Sequence, residues 1–147
     1  LGQSALFKEV LNLSGENAGP VPDIDFSREK ITAQVIKGLN EKGNLIGGHD
    51  VSDGGLALAS LEICIINDIG IKLDNNDISW LFGESQGLYL LVCKEENLPV
   101  ILKLCERLQT TFQKIGTFGG ELFAIGDKAL PLKELKKLHK TGLDCFF

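Results

Sequence analysis

A ten-residue stretch in the middle of the chain combines the side chains that bind phosphates and metal ions. Residues 47–56 read GGHDVSDGGL and so carry one imidazole, two carboxylates, one hydroxyl and two glycine pairs. The stretch follows a short apolar run and precedes a longer apolar segment. Glycine-rich turns between a strand and a helix commonly hold phosphates and their metal ions, because backbone N–H groups there face the ligand. The pattern therefore favours a phosphate or metal–phosphate site.

Two carboxylates in this stretch are candidate metal ligands. Asp50 and Asp53 lie three positions apart, so a turn can direct both at one point. Two carboxylates together with phosphate oxygens are a common way of holding Mg²⁺. Gly54 and Gly55 let the backbone approach a ligand closely, and the helix that they open presents free N–H groups.

The same residues also have a purely structural interpretation. Ser52 or Asp53 can cap the helix that follows, and Asp-Gly is a common turn sequence. A lone histidine such as His49 is more often a structural hydrogen bonder than a ligand. A zinc site is not expected, because the only other histidine, His139, is distant in sequence and no cysteine lies near His49.

A second candidate motif precedes a continuous apolar run. Residues 82–87 read FGESQG, and polar residues at the edge of a buried strand can line a cleft. Glu84 could bind a metal ion or a sugar hydroxyl, whereas an ordinary surface loop is the alternative. Residues 1–4 (LGQS) are a weaker third candidate, a glycine and a serine before a predicted helix.

Composition excludes several classes of protein. The 147 residues suffice for one domain with its own core, and the net charge of −5 does not favour a nucleic-acid surface. The lysines at positions 133–140 fall on a predicted helix whose leucines, including Leu138, face inward, so they are interpreted as a solvated face. The apolar runs are too short to span a membrane. Neither a nucleic acid nor a membrane is expected as a partner.

The start of the chain and its cysteines indicate its context. No signal peptide is visible, and the first residue is Leu1 rather than Met. We therefore expect residues 1–147 to form a single domain, a C-terminal fragment of a larger multidomain protein. The four cysteines form no CxxC pair, which favours a reduced, cytoplasmic protein.

Hydrophobic periodicity predicts alternating helices and strands. A continuous apolar run at 87–93 is typical of a central strand, and an apolar helix over 56–66 should be buried on nearly all sides. The pair Gly119-Gly120 predicts a hairpin, and Pro131 should occupy the first turn of the last helix. The fold class is α/β (α+β), a mixed β-sheet covered by helices. Helices are predicted at about 4–13, 27–42, 56–66, 77–82, 95–108 and from 131, and strands at 45–46, 69–73, 87–93, 112–118 and 121–125.

Taken together, the motifs resemble one enzyme family. Residues 49–56 match the pattern His-Asp-x-Ser-Asp-Gly-Gly-Leu without a break, residues 82–87 match Phe-Gly-Glu-Ser-Gln-Gly, and residues 115–120 are similar to a third motif, Ile-Gly-x-Val-Gly-Gly. These motifs resemble phosphoribosylformylglycinamidine synthase, and more narrowly the C-terminal domain of its synthase subunit. The fold should then be that of the C-terminal domain of aminoimidazole ribonucleotide synthase, a relative. The chain departs from the family at Leu88, where an arginine is usual, and at Ala5-Leu6, where Glu-Tyr is common.

The resemblance implies an ATP-dependent C–N ligase of purine biosynthesis. Such an enzyme converts formylglycinamide ribonucleotide, ATP and glutamine-derived ammonia to the amidine, ADP and phosphate. The partners would be the remainder of the same synthase, a glutaminase and a small bridging subunit. Catalytic residues would lie outside this chain, so the chain alone should be inactive. The resemblance assigns Mg²⁺ to Asp50 and Asp53, and nucleotide or substrate to His49, Ser52, Gly54, Gly55, Glu84, Ser85 and Gln86.

Two alternatives stay open. The chain could be a scaffold domain whose motifs shape only a degenerate, structural nucleotide site. It could also belong to a related ATP-using enzyme, such as aminoimidazole ribonucleotide synthase.

Overall fold

The fold combines five α-helices and six strands in a computed structural model that describes residues 2–21 and 23–142. Short π- and 3₁₀-helical turns at Leu6–Val10, Gly15–Ala18 and Glu95–Asn97 complete the described elements. In chain order the main elements are α1 (Phe26–Glu41), β1 (Gly47–Asp50), α2 (Gly55–Asn67), β2 (Ile71–Leu73), α3 (Ile78–Phe82), β3 (Tyr89–Val92), α4 (Leu98–Arg107), β4 (Gly116–Phe118), β5 (Leu122–Ile125), β6 (Lys128–Pro131) and α5 (Leu132–Thr141).

A mixed four-stranded sheet has the strand order β4-β2-β5-β6. Strand β2 is antiparallel to β4 and parallel to β5, and β5 is antiparallel to β6. The predicted mixed sheet covered by helices is therefore confirmed. The predicted hairpin between 112–118 and 121–125 is wrong, because β2 lies between these two segments.

The insertion of β2 explains why the Gly119-Gly120 turn is not a hairpin turn. The Gly70 N–H donates to the Gly120 carbonyl, and the Gly119 N–H donates to the Gly70 carbonyl, both at 2.8 Å. The turn thus wraps around the chain that enters β2. A Cβ atom on Gly70 would overlap the Leu122 carbonyl oxygen and lie 2.7 Å from the Leu122 nitrogen, so only glycine fits there.

The hairpin of this sheet is formed by β5 and β6, and it was not predicted. Strands β5 and β6 pair from Leu122 with Pro131 to Ile125 with Lys128, which leaves Gly126 and Asp127 as a two-residue turn. Gly126 has φ 58°, a conformation that favours glycine. Pro131 ends β6 and is the N-cap of α5, so the predicted first-turn position is wrong by one residue.

The remaining two strands, β1 and β3, pair only with each other among the described residues. Their antiparallel register runs from Gly47 with Val92 to Asp50 with Tyr89. The prediction of a strand at 45–46 is therefore wrong, because the strand begins at Gly47 within the glycine-rich motif. The predicted strand at 87–93 is confirmed as β3, but its predicted central position is wrong, because β3 belongs to a two-stranded sheet and Tyr89 is 42% exposed.

Helix α2 packs against both sheets. Its Ala57 belongs to a core that includes Ile71 of the four-stranded sheet. Ala59, on another side of α2, packs in a second core that includes Leu90 of β3. Contacts on both sides explain why the sequence of α2 is apolar on more than one face. The prediction of burial on nearly all sides fails near its end, where Ile66 is 76% exposed.

A third core joins α1 to α4 through Val35, Leu39, Ile101 and Cys105. The described cysteines are free, and burial raises the pKa of the Cys64 thiol to about 11, so this thiol is uncharged at neutral pH. Cys145 and Leu1 lie outside the described residues.

The last helix keeps one leucine in the core and leaves another in solvent. Leu132 is 4% exposed, whereas Leu138, predicted to face inward, is 66% exposed. Lys136 of this helix lies 2.6 Å from a carboxylate oxygen of Asp68, the residue that ends α2.

Among the described helices, none is long and apolar enough to cross a membrane.

Substitution of Gly70 tests the inserted strand. We expect Gly70→Ala to lower the free energy of unfolding by about 1–3 kcal/mol, the usual cost of overpacking, because its Cβ meets backbone atoms of Leu122 and Gly119. The control is Gly38→Ala in α1, where no heavy atom lies within 4 Å of the new Cβ. That variant should be neutral or more stable by up to about 1 kcal/mol. Urea denaturation of both variants is the measurement, and equal stabilities would contradict the packing.

The ion pair between Asp68 and Lys136 predicts a dependence of stability on pH. The hydrogen bond and charge of Lys136 hold the pKa of Asp68 below its ordinary value of 3.8. The pair therefore stabilises the fold above that pH, and its contribution disappears as the pH falls through the lowered pKa. Asp68→Asn, which tolerates the left-handed backbone at φ 53°, should lower the melting temperature at neutral pH and not well below pH 3.8.

The control for this experiment is Asp74→Asn, since Asp74 is exposed. A difference between wild type and Asp68→Asn that is the same at both pH values would contradict the assignment.

Candidate functional site

The two sequence motifs meet at a cleft of about 250 Å³. The cleft lies where β1 ends, beside the turn into α2 and the loop that precedes β3. Its walls come from α1, the first motif, the second motif and the start of β3. The lining residues are Glu29, Asp50, Val51, Ser52, Asp53, Glu84, Gln86, Gly87, Leu88 and Tyr89.

Most, but not all, of the predicted site residues line this cleft. Asp50, Ser52 and Asp53 come from the first motif, and Glu84 and Gln86 from the second. The other predicted residues, His49, Gly54, Gly55 and Ser85, are outside the lining set. The two motifs are separated in sequence by α2, β2 and α3, yet they line the same cleft.

The turn that enters α2 sets the direction of the first motif. The Gly55 N–H donates to the Ser52 carbonyl at 2.9 Å, and Gly54 has φ 79° and ψ 0°, as at the third position of a type II turn. Gly54 is the N-cap of α2, and no side chain caps the helix. The alternative in which Ser52 or Asp53 caps the helix is therefore wrong. Both side chains are exposed at the cleft.

The glycine pair is required by the chain itself. Gly55 has φ 65°, and a Cβ there would lie 2.7 Å from the Leu81 carbonyl oxygen and 2.8 Å from Phe82 Cα. The start of α2 therefore packs directly on the end of α3, at a distance that only glycine allows. This contact holds the two motifs side by side.

Glu84 connects three parts of the chain. Its Oε1 accepts hydrogen bonds from the backbone N–H groups of Gly54 and Ala5, each at 2.8 Å. The N–H groups at the start of α2 were predicted to be free for a ligand. The Gly54 N–H instead donates a hydrogen bond to a protein carboxylate.

His49 is held by protein groups on both sides of its ring. Nδ1 lies 2.5 Å from the Asp50 carbonyl oxygen, which can only accept, so Nδ1 is the donor. Nε2 lies 3.1 Å from a carboxylate oxygen of Glu62 on α2. These contacts agree with the structural interpretation of His49, as a link between β1 and α2 beside the cleft.

The cleft is acidic. Four carboxylates line it, and no lysine or arginine is among the described lining residues. One of the four, Glu29, was missed by the sequence reasoning, because it lies on the exposed face of a predicted amphipathic helix. Phosphate oxygens would need a cation in this environment.

The lining carboxylates fit the way in which Mg²⁺ is commonly held. The described residues contain no group of three or more His, Cys, Asp or Glu side chains arranged to hold a metal ion by themselves. Mg²⁺ usually takes only one or two protein carboxylates and completes its coordination with water and substrate phosphates. Asp50 and Asp53 can supply that share.

The weaker third candidate has a structural role in the described residues. The Gln3 side chain donates to the carbonyl oxygens of Gly15 and Gly19 at 2.8 and 2.9 Å, and Ser4 is completely buried. These contacts fix the N-terminal segment, and Leu1 lies outside the described residues.

Comparison with known proteins identifies the family. The family described as "AIR synthase related protein, C-terminal domain" matches residues 1–125. The chain belongs to this family. The resemblance inferred from the motifs, and the fold that it implied, are therefore confirmed.

Among curated proteins, the chain is similar to one subunit of a purine-biosynthesis enzyme. The chain is 36% identical over 149 aligned residues to phosphoribosylformylglycinamidine synthase subunit PurL of Rhodopseudomonas palustris strain HaA2, which covers 97% of this chain. It is 30% identical over 148 aligned residues to the same subunit of Zymomonas mobilis, again over 97% of this chain. The chain spans only 20% of the length of these relatives.

Solved structures share the fold. PurL of Thermotoga maritima complexed with FGAR superposes with a TM-score of 0.74 at 16% identity, covering 84% of this chain and 23% of that one. The PurLQS structure from the same organism gives 0.69 at 16% identity, covering 78% and 22%. PurL complexed with ATP gives 0.66 at 16% identity, covering 73% and 21%.

A double-mutant cycle tests the position of His49. We expect His49→Ala to destabilise the chain more than Glu62→Ala, because it removes the contact with the Asp50 carbonyl as well as that with Glu62. The two effects should be non-additive by about 0.5 kcal/mol, since the pair is only partly exposed.

The matched control is the exposed pair Lys94 and Glu96, whose nitrogen and oxygen lie 3.7 Å apart. Its alanine cycle should give a coupling near zero. Chemical denaturation of all variants measures both cycles, and full additivity at His49 and Glu62 would contradict the link between β1 and α2.

Proposed function

We propose that this chain is the C-terminal domain of an ATP-dependent phosphoribosylformylglycinamidine synthase. The whole enzyme converts formylglycinamide ribonucleotide, ATP and glutamine-derived ammonia to the amidine, ADP and phosphate. The observation that carries the proposal is the meeting of the two motifs, through Asp50, Ser52, Asp53, Glu84 and Gln86, on one cleft. The similarity to PurL over 97% of the chain supports it.

In this proposal the cleft binds a nucleotide together with Mg²⁺. Asp50 and Asp53 would hold the ion, which when bound neutralises phosphate charge in a cleft that otherwise repels anions. The Ser52 hydroxyl and the Gln86 amide provide hydrogen bonds to the bound molecule. The ATP complex of the Thermotoga relative supports a nucleotide as ligand.

Three of the four remaining predicted residues have structural roles beside the cleft. Gly54 and Gly55 allow the turn, and His49 fixes the end of β1, whereas Ser85 is exposed in the loop of the second motif. We assign no residue of this chain to proton transfer or nucleophilic attack. Both reactants must be oriented together, so the domain needs the remainder of the synthase for turnover.

The proposal includes the larger assembly. The domain of residues 1–147 would be one part of a multidomain synthase, whose partners are a glutaminase and a small bridging subunit. The PurLQS structure of the Thermotoga relative supports such an assembly. The free thiols of Cys64, Cys93 and Cys105 agree with a cytoplasmic location.

A second candidate is a scaffold domain with a structural nucleotide site. Two observations favour it: Glu84 Oε1 is occupied by backbone N–H groups, and Leu88 lines the cleft where an arginine is usual in the family. A nucleotide bound at such a site would stabilise the fold and would not be consumed in a reaction.

Neutralising the two cleft aspartates in the full-length protein tests the proposal. We expect Asp50→Asn and Asp53→Asn each to weaken binding of Mg·ADP by at least about tenfold, the factor given by about 1.4 kcal/mol of lost interaction. Phosphate release that depends on formylglycinamide ribonucleotide should fall in parallel, while the melting temperature without nucleotide stays unchanged. The control is Asp127→Asn, an exposed aspartate in the β5–β6 turn.

The outcomes separate the two candidates. Lost turnover with an intact fold supports the ligase site. Weaker nucleotide binding and lower stability, with normal turnover of the protein that remains folded, would support the scaffold. Phosphate release that never depends on the ribonucleotide would refute the proposed reaction and favour a related ATP-using enzyme.

A further inference from the structure

One carboxylate oxygen joins two distant backbone segments at the cleft. Glu84 Oε1 accepts from the Ala5 N–H, 79 positions away, and from the Gly54 N–H, 30 positions away, both at 2.8 Å. A carboxylate oxygen offers two lone pairs in its plane, and two short N–H donors occupy both. Hydrogen bonds to an ionised acceptor are roughly twice as strong as neutral ones.

The Gly54 bond acts on the turn that directs the first motif. Gly54 is the N-cap of α2 and holds the left-handed conformation that closes the Ser52–Gly55 turn. An acceptor on its N–H group therefore fixes the plane of the peptide between Asp53 and Gly54. The orientation of Asp53 in the cleft depends on that plane.

The Ala5 bond acts on a segment that is itself firmly attached. The Gln3 N–H donates to the Ala18 carbonyl at 2.9 Å, and the Gln3 side chain donates to Gly15 and Gly19. Gly2 packs against the Pro20 carbonyl so closely that a Cβ could not fit. A displacement of this segment would be transmitted through Ala5 to Glu84.

We propose that Glu84 is a positioning residue that couples the N-terminal segment Gly2–Leu11 to the Ser52–Gly55 turn through the two hydrogen bonds that its Oε1 accepts. The proposal rests on the proposed nucleotide site for its functional consequence. Movement of the N-terminal segment changes the affinity of the cleft, because Glu84 transfers it to the turn that carries Asp53.

Three variants of the full-length protein separate positioning from ligation. Glu84→Ala removes both hydrogen bonds. Glu84→Gln keeps an oxygen acceptor of the same size and loses the charge. Ala5→Pro replaces the Ala5 N–H group by a ring carbon that points at Glu84 Oε1 and displaces it, and the φ of −56° at Ala5 suits proline at the start of a helical turn. The matched control is Glu96→Gln, an exposed carboxylate outside the cleft.

Two readouts are measured on each variant: amide hydrogen exchange of the peptides that contain Gly54 and residues 5–11, and the Kd of Mg·ADP. We expect Glu84→Ala to raise both exchange rates and the Kd by about tenfold, the loss expected for hydrogen bonds to a charged group. Glu84→Gln should stay within about threefold of wild type, because the neutral oxygen still accepts. Glu96→Gln should match wild type.

The decisive variant is Ala5→Pro, which substitutes no residue that lines the cleft. We expect it to raise the exchange rate at Gly54 and the Kd, and to have no further effect in the Glu84→Ala background, because the shared acceptor is already gone. Unchanged Gly54 exchange in Ala5→Pro would overturn the coupling. A Glu84→Gln variant that binds Mg·ADP as poorly as Glu84→Ala, with Gly54 exchange at the wild-type rate, would overturn positioning in favour of direct ligation.

The exchange measurement keeps this test separate from that of the proposed function. If Asp50→Asn leaves the Kd unchanged, the nucleotide site is wrong, yet Gly54 exchange still reports whether Glu84 couples the two segments. If Glu84→Ala does not fold, Glu84→Gln and Ala5→Pro still decide the proposal.

Discussion

The packing of helix α2 between two sheets is the constraint on which the rest of the structure depends. Small residues let it approach both: Ala57 on the side of the four-stranded sheet and Ala59 on the side of the β1–β3 pair. Ser60, the next residue along the helix, is completely buried. Because α2 begins at the turn of the first motif, its two sets of contacts fix where that turn stands. A larger side chain at these positions would separate the sheets and with them the walls of the cleft.

The glycine-rich motif illustrates how one residue type can serve structure and binding together. Gly55 is needed because the ends of α2 and α3 touch, and Gly54 is needed because the turn requires a left-handed residue. Neither requirement involves a ligand. The side chains of Ser52 and Asp53, by contrast, are exposed, and neither caps α2. The fold therefore does not explain why these positions hold serine and aspartate, whereas the proposed binding site does.

Local patterns in the sequence predicted those elements whose causes are local. Helix α1 and the short α3 lie close to their predicted ranges, and the structure adds their caps, Asp25 and Asp77. The hairpin at Gly119-Gly120 failed because a turn signal carries no information about a strand inserted from elsewhere in the chain. The cleft residues Asp50 and Glu84 were found by their motifs, whereas Glu29 has no motif and reaches the cleft only through tertiary packing.

The inserted strand β2 also imposes an order on folding. Residues 71–73 pair with 116–118 on one side and 123–125 on the other, so this interior strand is fully paired only when both neighbours are present. On a ribosome, β2 and the helix before it would emerge well ahead of the strands that complete them. Until then the edges of β2 and the apolar side of α2 are open to wrong partners, a known route to aggregation. The sheet is complete only when the Gly119-Gly120 turn wraps around Gly70, and because this contact is distant in sequence we expect it to form late in folding.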